Sequence, residues 1–220
     1  MVAGSSVFEA VDSYIDGLFV ETDEVLDKIL ERASAAGLPD IHVSPGQGKL
    51  LYLMAKTIGA KRVIEVGTLG GYSTVWLARA LPEDGQLITL ELDPTHAEFA
   101  RETLKQAGIA DRCDVIEGAA LPSLQDIVGP VDLVFLDANK DSYPAYLNQA
   151  VRLTRPGGLI LADNVVRQGT VLEPSEVDPS AIGAAAFNQA LAEHPKLEAI
   201  ILQQVGLKGH DGLALARVKD

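Results

Sequence analysis

The stretch VIEVGTLGGYSTVWLARAL, residues 63–81, decides the fold. It reads as an apolar strand, a glycine-rich turn and a helix stopped by Pro82. Its glycines, at 67, 70 and 71, give G-x-x-G-G rather than the dinucleotide spacing G-x-G-x-x-G, and no Gly-Lys-Ser/Thr follows as in a P-loop. Glycine here either lets backbone approach a ligand closely or serves helix–strand packing. Working outward, further apolar runs alternate with helical patterns, the signature of a parallel sheet with covering helices. The expected strands are 63–66, 87–91 (LITLE), 114–117 (DVIE), 131–137 (VDLVFLD) and 159–163 (LILAD). Two more, EAIILQQV (198–205) and GLALARV (212–218), are close enough to form a hairpin, which adds an antiparallel edge.

The helix after the second strand has Asp93 and Pro94 at its entrance, Thr95-x-x-Glu98 as a capping box and Gly108 at its exit. Its Ala97, Ala100, Leu104 and Ala107 recur at helical spacing and should face the sheet. Residues 1–60 read differently, as amphipathic helices over Val7–Val20 and Glu24–Ala36 and a third over Leu50–Ile58. They form a helical cap on an α/β core over 63–220, all within a single domain of 220 residues. The segment between Arg167 and Ile182 is rich in Pro, Ser and acids and reads as a mobile loop.

The chain carries 31 acidic and 18 basic residues, a net charge of −13, which argues against a nucleic-acid surface. A single cysteine, Cys113, excludes an intramolecular disulfide and fits a reducing cytoplasm; at the start of a strand it reads as a buried thiol, not a nucleophile. MVAGSSVFEAVDSYI has no basic n-region and no continuous apolar core, so no signal peptide is expected, and no run is long enough to span a bilayer. The expected location is cytoplasmic.

Asp137 closes the fourth strand and Asp163-Asn164 the fifth. Ligands of parallel α/β sheets bind outside the carboxyl ends of the strands, so these oxygens should converge on one crevice. Oxygen donors without thiols or imidazoles suit a hard cation, Mg²⁺ first, with Mn²⁺ or Ca²⁺ open. Three ligands leave positions for water and a chelating substrate. Taken alone, Asp163-Asn164 also fits an ordinary turn and Lys140-Asp141 a solvated helix entrance. Glu91, at the end of the second strand, is placed to accept both hydroxyls of a ribose, or is a solvated strand-end acid.

Glu65-x-Gly67-x-x-x-Gly71 resembles motif I of S-adenosylmethionine-dependent methyltransferases. The Asn/Asp-Pro-Pro-Tyr motif of amino-group methyltransferases is missing. Instead LDANKDSY (136–143) with ADN (162–164) resembles the cation-dependent O-methyltransferases of small molecules, the catechol and caffeoyl-CoA groups. The likeness runs through HVSPGQGKLL, EVGTLGGYS, PEDGQLITLELD, EGAALPSL, RPGGLILADN and DGLALARV. It implies a Rossmann-like class I fold with a mostly parallel seven-stranded sheet. It also implies a metal bound by Asp137, Asp163 and Asn164, and Lys140 as catalytic base. S-adenosylmethionine would meet Glu65, Gly67, Thr68, Gly71, Ser73 and Glu91, with Val43, Ala120 and Asp137 further contacts. Val43 falls where relatives often carry Thr, which leaves only a backbone contact there. The acceptor expected is a small phenol with vicinal hydroxyls, and the assembly expected is a homodimer. A caffeoyl-CoA acceptor would need basic groups for its nucleotide, which the sequence does not place.

His42, His96, His194 and His210 lack paired ligand spacing and read as surface or capping residues. Trp76 reads as packing or interface. Arg167 is either a contact for an acidic group on the acceptor or a solvated loop residue. Asn139 stands where the catechol group has an aromatic residue and the caffeoyl-CoA group usually an acid, so the acceptor pocket stays unassigned. Two rival readings are an NAD-dependent dehydrogenase, disfavoured by the glycine spacing, and a non-enzymatic cofactor-binding protein, disfavoured by the intact Asp137, Lys140, Asp163 and Asn164.

Overall fold

Seven strands form one sheet: β1 (Arg62–Val66), β2 (Gln86–Glu91), β3 (Cys113–Glu117), β4 (Val131–Leu136), β5 (Thr154–Ala162), β6 (Leu197–Gly206) and β7 (Gly209–Val218). Their order is β3-β2-β1-β4-β5-β7-β6, parallel except for the β6–β7 hairpin, which joins antiparallel to β5. This is the expected Rossmann-like arrangement. The computed structural model describes residues 7–220; residues 1–6, part of the expected cap and of the segment scanned for a signal peptide, lie outside the described residues.

Helices cover both faces. On one, α2 (Glu24–Ala35), α3 (Pro45–Thr57), α4 (Tyr72–Ala80) and α5 (Pro94–Gln106) pack Leu26, Ile29, Leu51, Leu77 and Leu104 against Val63, Leu133 and Phe135. On the other, α6 (Ala120–Asp126), α7 (Tyr143–Leu153) and α8 (Pro179–Glu193) pack Leu124, Leu147 and Phe187 against Ile64, Val134 and Ile160. Burying each such side chain contributes about 1.5–3 kcal/mol, so β1 and β4, buried on both faces, anchor the sheet. α1 (Val7–Phe19) buries no residue and lies beside β6. Among the described residues, no helix is long and apolar enough to cross a membrane.

Several local expectations are corrected. α3 begins at Pro45, five residues before the expected start, because Ser44 caps it through the Gln47 N–H and Pro45 fixes the first turn. The capping box of α5 does not form; the Asp93 carboxylate accepts from the N–H groups of Thr95 and His96 instead. β5 begins at Thr154, ahead of a register shift against β4. Within the segment expected to be a mobile loop, Arg167–Leu172 forms 3₁₀ turns broken by a kink at Gln168 and Gly169, and α8 starts at Pro179, capped by Asp178. Trp76 is packing, seated over Gly48 and 6.4 Å from Tyr52. Cys113 is half-buried, and burial pushes its thiol up to about 12, which fits an inert thiol.

Candidate active site

The carboxyl ends of β1, β2, β4 and β5 open into a cavity of about 700 Å³. Parallel strands in register bring their ends to one level, so the residues just beyond them line it. At one end the β1–α4 turn contributes Gly67 and Thr68, and the first turn of α4 contributes Ser73, with Glu91 of β2 beside them; at the other stand Asp137, Lys140 and Asn164. Val43 and Ala120 also line the cavity. Glu65, Gly71 and Asp163 do not; they lie directly behind its wall.

Gly67 is held at φ +99°, and a Cβ there would stand 2.0 Å from the Asp137 carbonyl oxygen. Neither conflict can be relieved by a side-chain rotation. Gly67→Ala should therefore destabilise the protein by roughly 2 kcal/mol or more, read as a lowered urea midpoint. An unchanged midpoint would mean that this turn is not what locks β1 against β4.

Two carboxylates shape the turn from below and beside. Glu65 is wholly buried and accepts hydrogen bonds from the hydroxyls of Ser73 (2.6 Å), Thr74 and Thr89 (2.7 Å). Burial pushes its carboxyl up to about 7, while the three hydroxyls favour the ionised form. Since Thr89 spends its proton on Glu65, the 2.5 Å contact between the Thr68 and Thr89 hydroxyls makes Thr68 the donor. Glu91 accepts from the N–H groups of Thr68 (3.1 Å), Leu69 (2.7 Å) and Asp93 (3.0 Å), and retains lone pairs for a further donor. His96, expected at the surface or in a cap, sits 3.8 Å from Glu91 and lines the cavity, as does His42.

At the other end, Lys140 is buried and donates to Asp137 Oδ1 (3.0 Å) and the Tyr143 hydroxyl (2.7 Å). The Tyr143 hydroxyl lies 3.0 Å from the carbonyl oxygens of Leu136 and Asp163, to which it gives its one proton. This fixes the oxygen lone pairs toward Lys140. Burial holds the Tyr143 phenol well above its ordinary range, so it stays protonated. Asp163 is 4% exposed. Burial, then the neighbouring Asp137 charge, pushes its carboxyl up to about 7, against a weaker opposing attraction from Lys140. Gln47, from the early first turn of α3, lies near Asp163 and favours its ionised form, yet its amide nitrogen makes no hydrogen bond.

Sequence reasoning gave no role to Tyr143, Gln47 or Tyr146. Tyr146, on the cavity wall, donates to Asn139 Oδ1 (2.7 Å), and Asn139 in turn donates to Asp141 and Ser142. Tyr143 was legible as the end of LDANKDSY; the approach of Gln47 from another element was not.

A Rossmann-like sheet with an antiparallel edge, a glycine turn without a phosphate lysine and an acid ending β2 defines the class I methyltransferases. The O-methyltransferase family profile matches residues 18–219. A catechol O-methyltransferase of Niastella koreensis is 46% identical, covering 98% of this chain and 99% of that protein. One of Mycobacterium tuberculosis is 48% identical over 95% of each. The crystal structure of a Bacillus cereus O-methyltransferase in complex with SAH superposes with a TM-score of 0.93 at 43% identity, covering 96% of this chain and 98% of that one. The chain belongs to the O-methyltransferase family, and is an S-adenosylmethionine-dependent O-methyltransferase.

Proposed function

We propose that this enzyme methylates a hydroxyl of a small catechol-like acceptor with the help of a divalent cation held by Asp137, Asp163 and Asn164. The observation that carries the reading is half-buried Asp137 beside Lys140 at one end of a cavity, with buried Asp163 directly behind that wall, and a glycine turn facing Glu91 at the other end. The donor set fits a hard cation: Asp163 is desolvated and crowded by the Asp137 carboxylate, whose repulsion a cation would relieve. The two similar catechol O-methyltransferases support the same acceptor.

When bound, S-adenosylmethionine would supply a sulfonium methyl for the acceptor oxygen, leaving S-adenosylhomocysteine, and the cation would make a chelated phenol more acidic. As the neutral amine, Lys140 donates its two N–H groups to Tyr143 and Asp137 and takes the phenol proton on the remaining Nζ lone pair, becoming the ammonium. Glu91 receives the donor's ribose hydroxyls. Gly67, Thr68 and Ser73 bring backbone and hydroxyl groups against the donor, with Val43 and Ala120 closing around it. Glu65 and Gly71 act from behind the wall, Glu65 through Ser73. Asp137 would hold the cation and also face the donor's amino end. Holding both reactants in one cavity can supply about 7–11 kcal/mol through proximity. The test is methyl transfer across hydroxylated aromatics with the cation varied; activity on mono-phenols equal to that on catechols would refute the chelation.

The enzyme is further proposed to be a homodimer. Val11, Tyr14, Ile15 and Leu18 are exposed at the i, i+3, i+4, i+7 spacing of one apolar face of α1. Such a contiguous patch is unusual on a monomer. Sedimentation should give a dimer for the parent and a monomer for Val11→Asp/Leu18→Asp; a monomeric parent would end this proposal.

A further inference from the structure

We propose that Arg167 receives a carboxylate on the acceptor, so that the physiological substrate is an anionic catechol rather than a neutral one. The inference rests on the catechol reading above and names the substrate class within it. Arg167 is half-buried and lines the cavity three residues beyond Asn164. Three residues of chain span at most roughly 10 Å, so the Arg167 Cα is tethered near the strand end where the ring hydroxyls are expected, and its side chain lines the same cavity. Among the described residues, that guanidinium makes no hydrogen bond, ion pair or ring contact. Lys140, the other strong cation of the lining, is occupied by Asp137.

The backbone under Arg167 is built rather than slack. Arg167 (φ 54°) and Gln168 (φ 56°) both adopt the left-handed region that non-glycine residues avoid, and Gly169 continues it. One carboxylate holds them: Asp211 Oδ1, on β7, accepts from the N–H groups of Val166 (3.0 Å), Arg167 (2.8 Å) and Gly212 (2.9 Å). The Thr170 hydroxyl closes the turn on the Arg167 carbonyl (2.8 Å). Positive φ at a non-glycine residue occurs at Leu69, Asn164, Arg167 and Gln168 among the described residues, and three of these line the cavity. Such strain is retained where the surroundings enforce it, typically at ligand sites. Here it aims an uncompensated cation at the acceptor.

Charge makes the device necessary. A protein of net charge −13 repels anions at long range, so an anionic acceptor needs a local cation. One guanidinium suits one carboxylate, which it can grip with two parallel hydrogen bonds. The several phosphates of a coenzyme A ester would need a cluster of cations that this lining lacks.

The experiment compares 3,4-dihydroxybenzoate and 3,4-dihydroxycinnamate with their methyl esters, which keep the ring hydroxyls and lose the charge. The parent should prefer the acids by about 10–100-fold in kcat/KM, as charged hydrogen bonds predict. In Arg167→Gln that ratio should fall to about one, and Arg167→Lys should restore part of it. Calorimetry with cinnamate, which has no ring hydroxyl to methylate, reads the same contact without turnover: binding to the parent should weaken about 10-fold or more in Arg167→Gln. Equal kcat/KM for acid and ester in the parent, or an unchanged ratio in Arg167→Gln, overturns the proposal. If neither acid nor ester is methylated, the catechol reading fails and cinnamate binding alone decides: loss in Arg167→Gln upholds the carboxylate contact, while no binding or equal binding refutes it.

Discussion

Replacing Lys140 with methionine should lower methyl transfer to catechol by about 10²–10⁴-fold, the range for losing a positioned proton acceptor. Donor affinity, measured by calorimetry, should stay within about 3-fold of the parent, because the glycine turn and Glu91 form the other end of the cavity. Methionine fills much of the buried space of the lysine stem, so packing is largely kept. Removing the ammonium does leave Asp137 without its partner at 3.0 Å, and a melting curve is the control for that. Lys140→Arg separates proton transfer from charge. Arginine keeps the cation beside Asp137 but cannot give up its proton. If Lys140→Arg works as well as the parent, the ammonium serves only as a charge, and the base lies elsewhere.

Chelation of divalent ions should abolish turnover, and Asp163→Asn should raise the Mg²⁺ concentration for half-maximal rate by at least about 10–100-fold, since even supporting residues of metal sites carry effects of that size. The sign of the stability change distinguishes a lost ligand from a damaged fold. Without cation, Asp163 is a buried acid beside a second carboxylate, and burial followed by that charge raises its pKa. A neutral amide removes both penalties, so the variant should melt no lower than the parent in EDTA. Added Mg²⁺ should stabilise the parent through its binding free energy and the variant hardly at all. A parent whose melting temperature and rate both ignore EDTA and Mg²⁺ would remove the cation from the mechanism.

The residues at the strand ends were legible because the signals are local. Alternation of apolar runs with helical spacing set the seven strands within a few residues, and β4 and β5 end beside Asp137 and Asp163 as read. The glycine turn was legible because positive φ and close approach leave glycine as the residue that fits, as at Gly67. Helix entrances were less so, since several polar residues compete for one cap. Asp93 won over Thr95 at α5, and Ser44 drew α3 back to Pro45.

By itself, the sequence determined the class of sheet, the chemistry of the donors and the order in which they arrive, all of which follow from periodicity and residue type. Tertiary structure alone decided which groups face the cavity and which stand behind it. Glu65 and Asp163 are strand-end acids like Glu91, yet both lie behind the wall, because side chains alternate along a strand and helices bury one face. The approach of Gln47 to Asp163 and the grip of Asp211 on Arg167 join segments far apart in the chain. No local pattern encodes such contacts; they exist only once strand register and helix packing have set the distances.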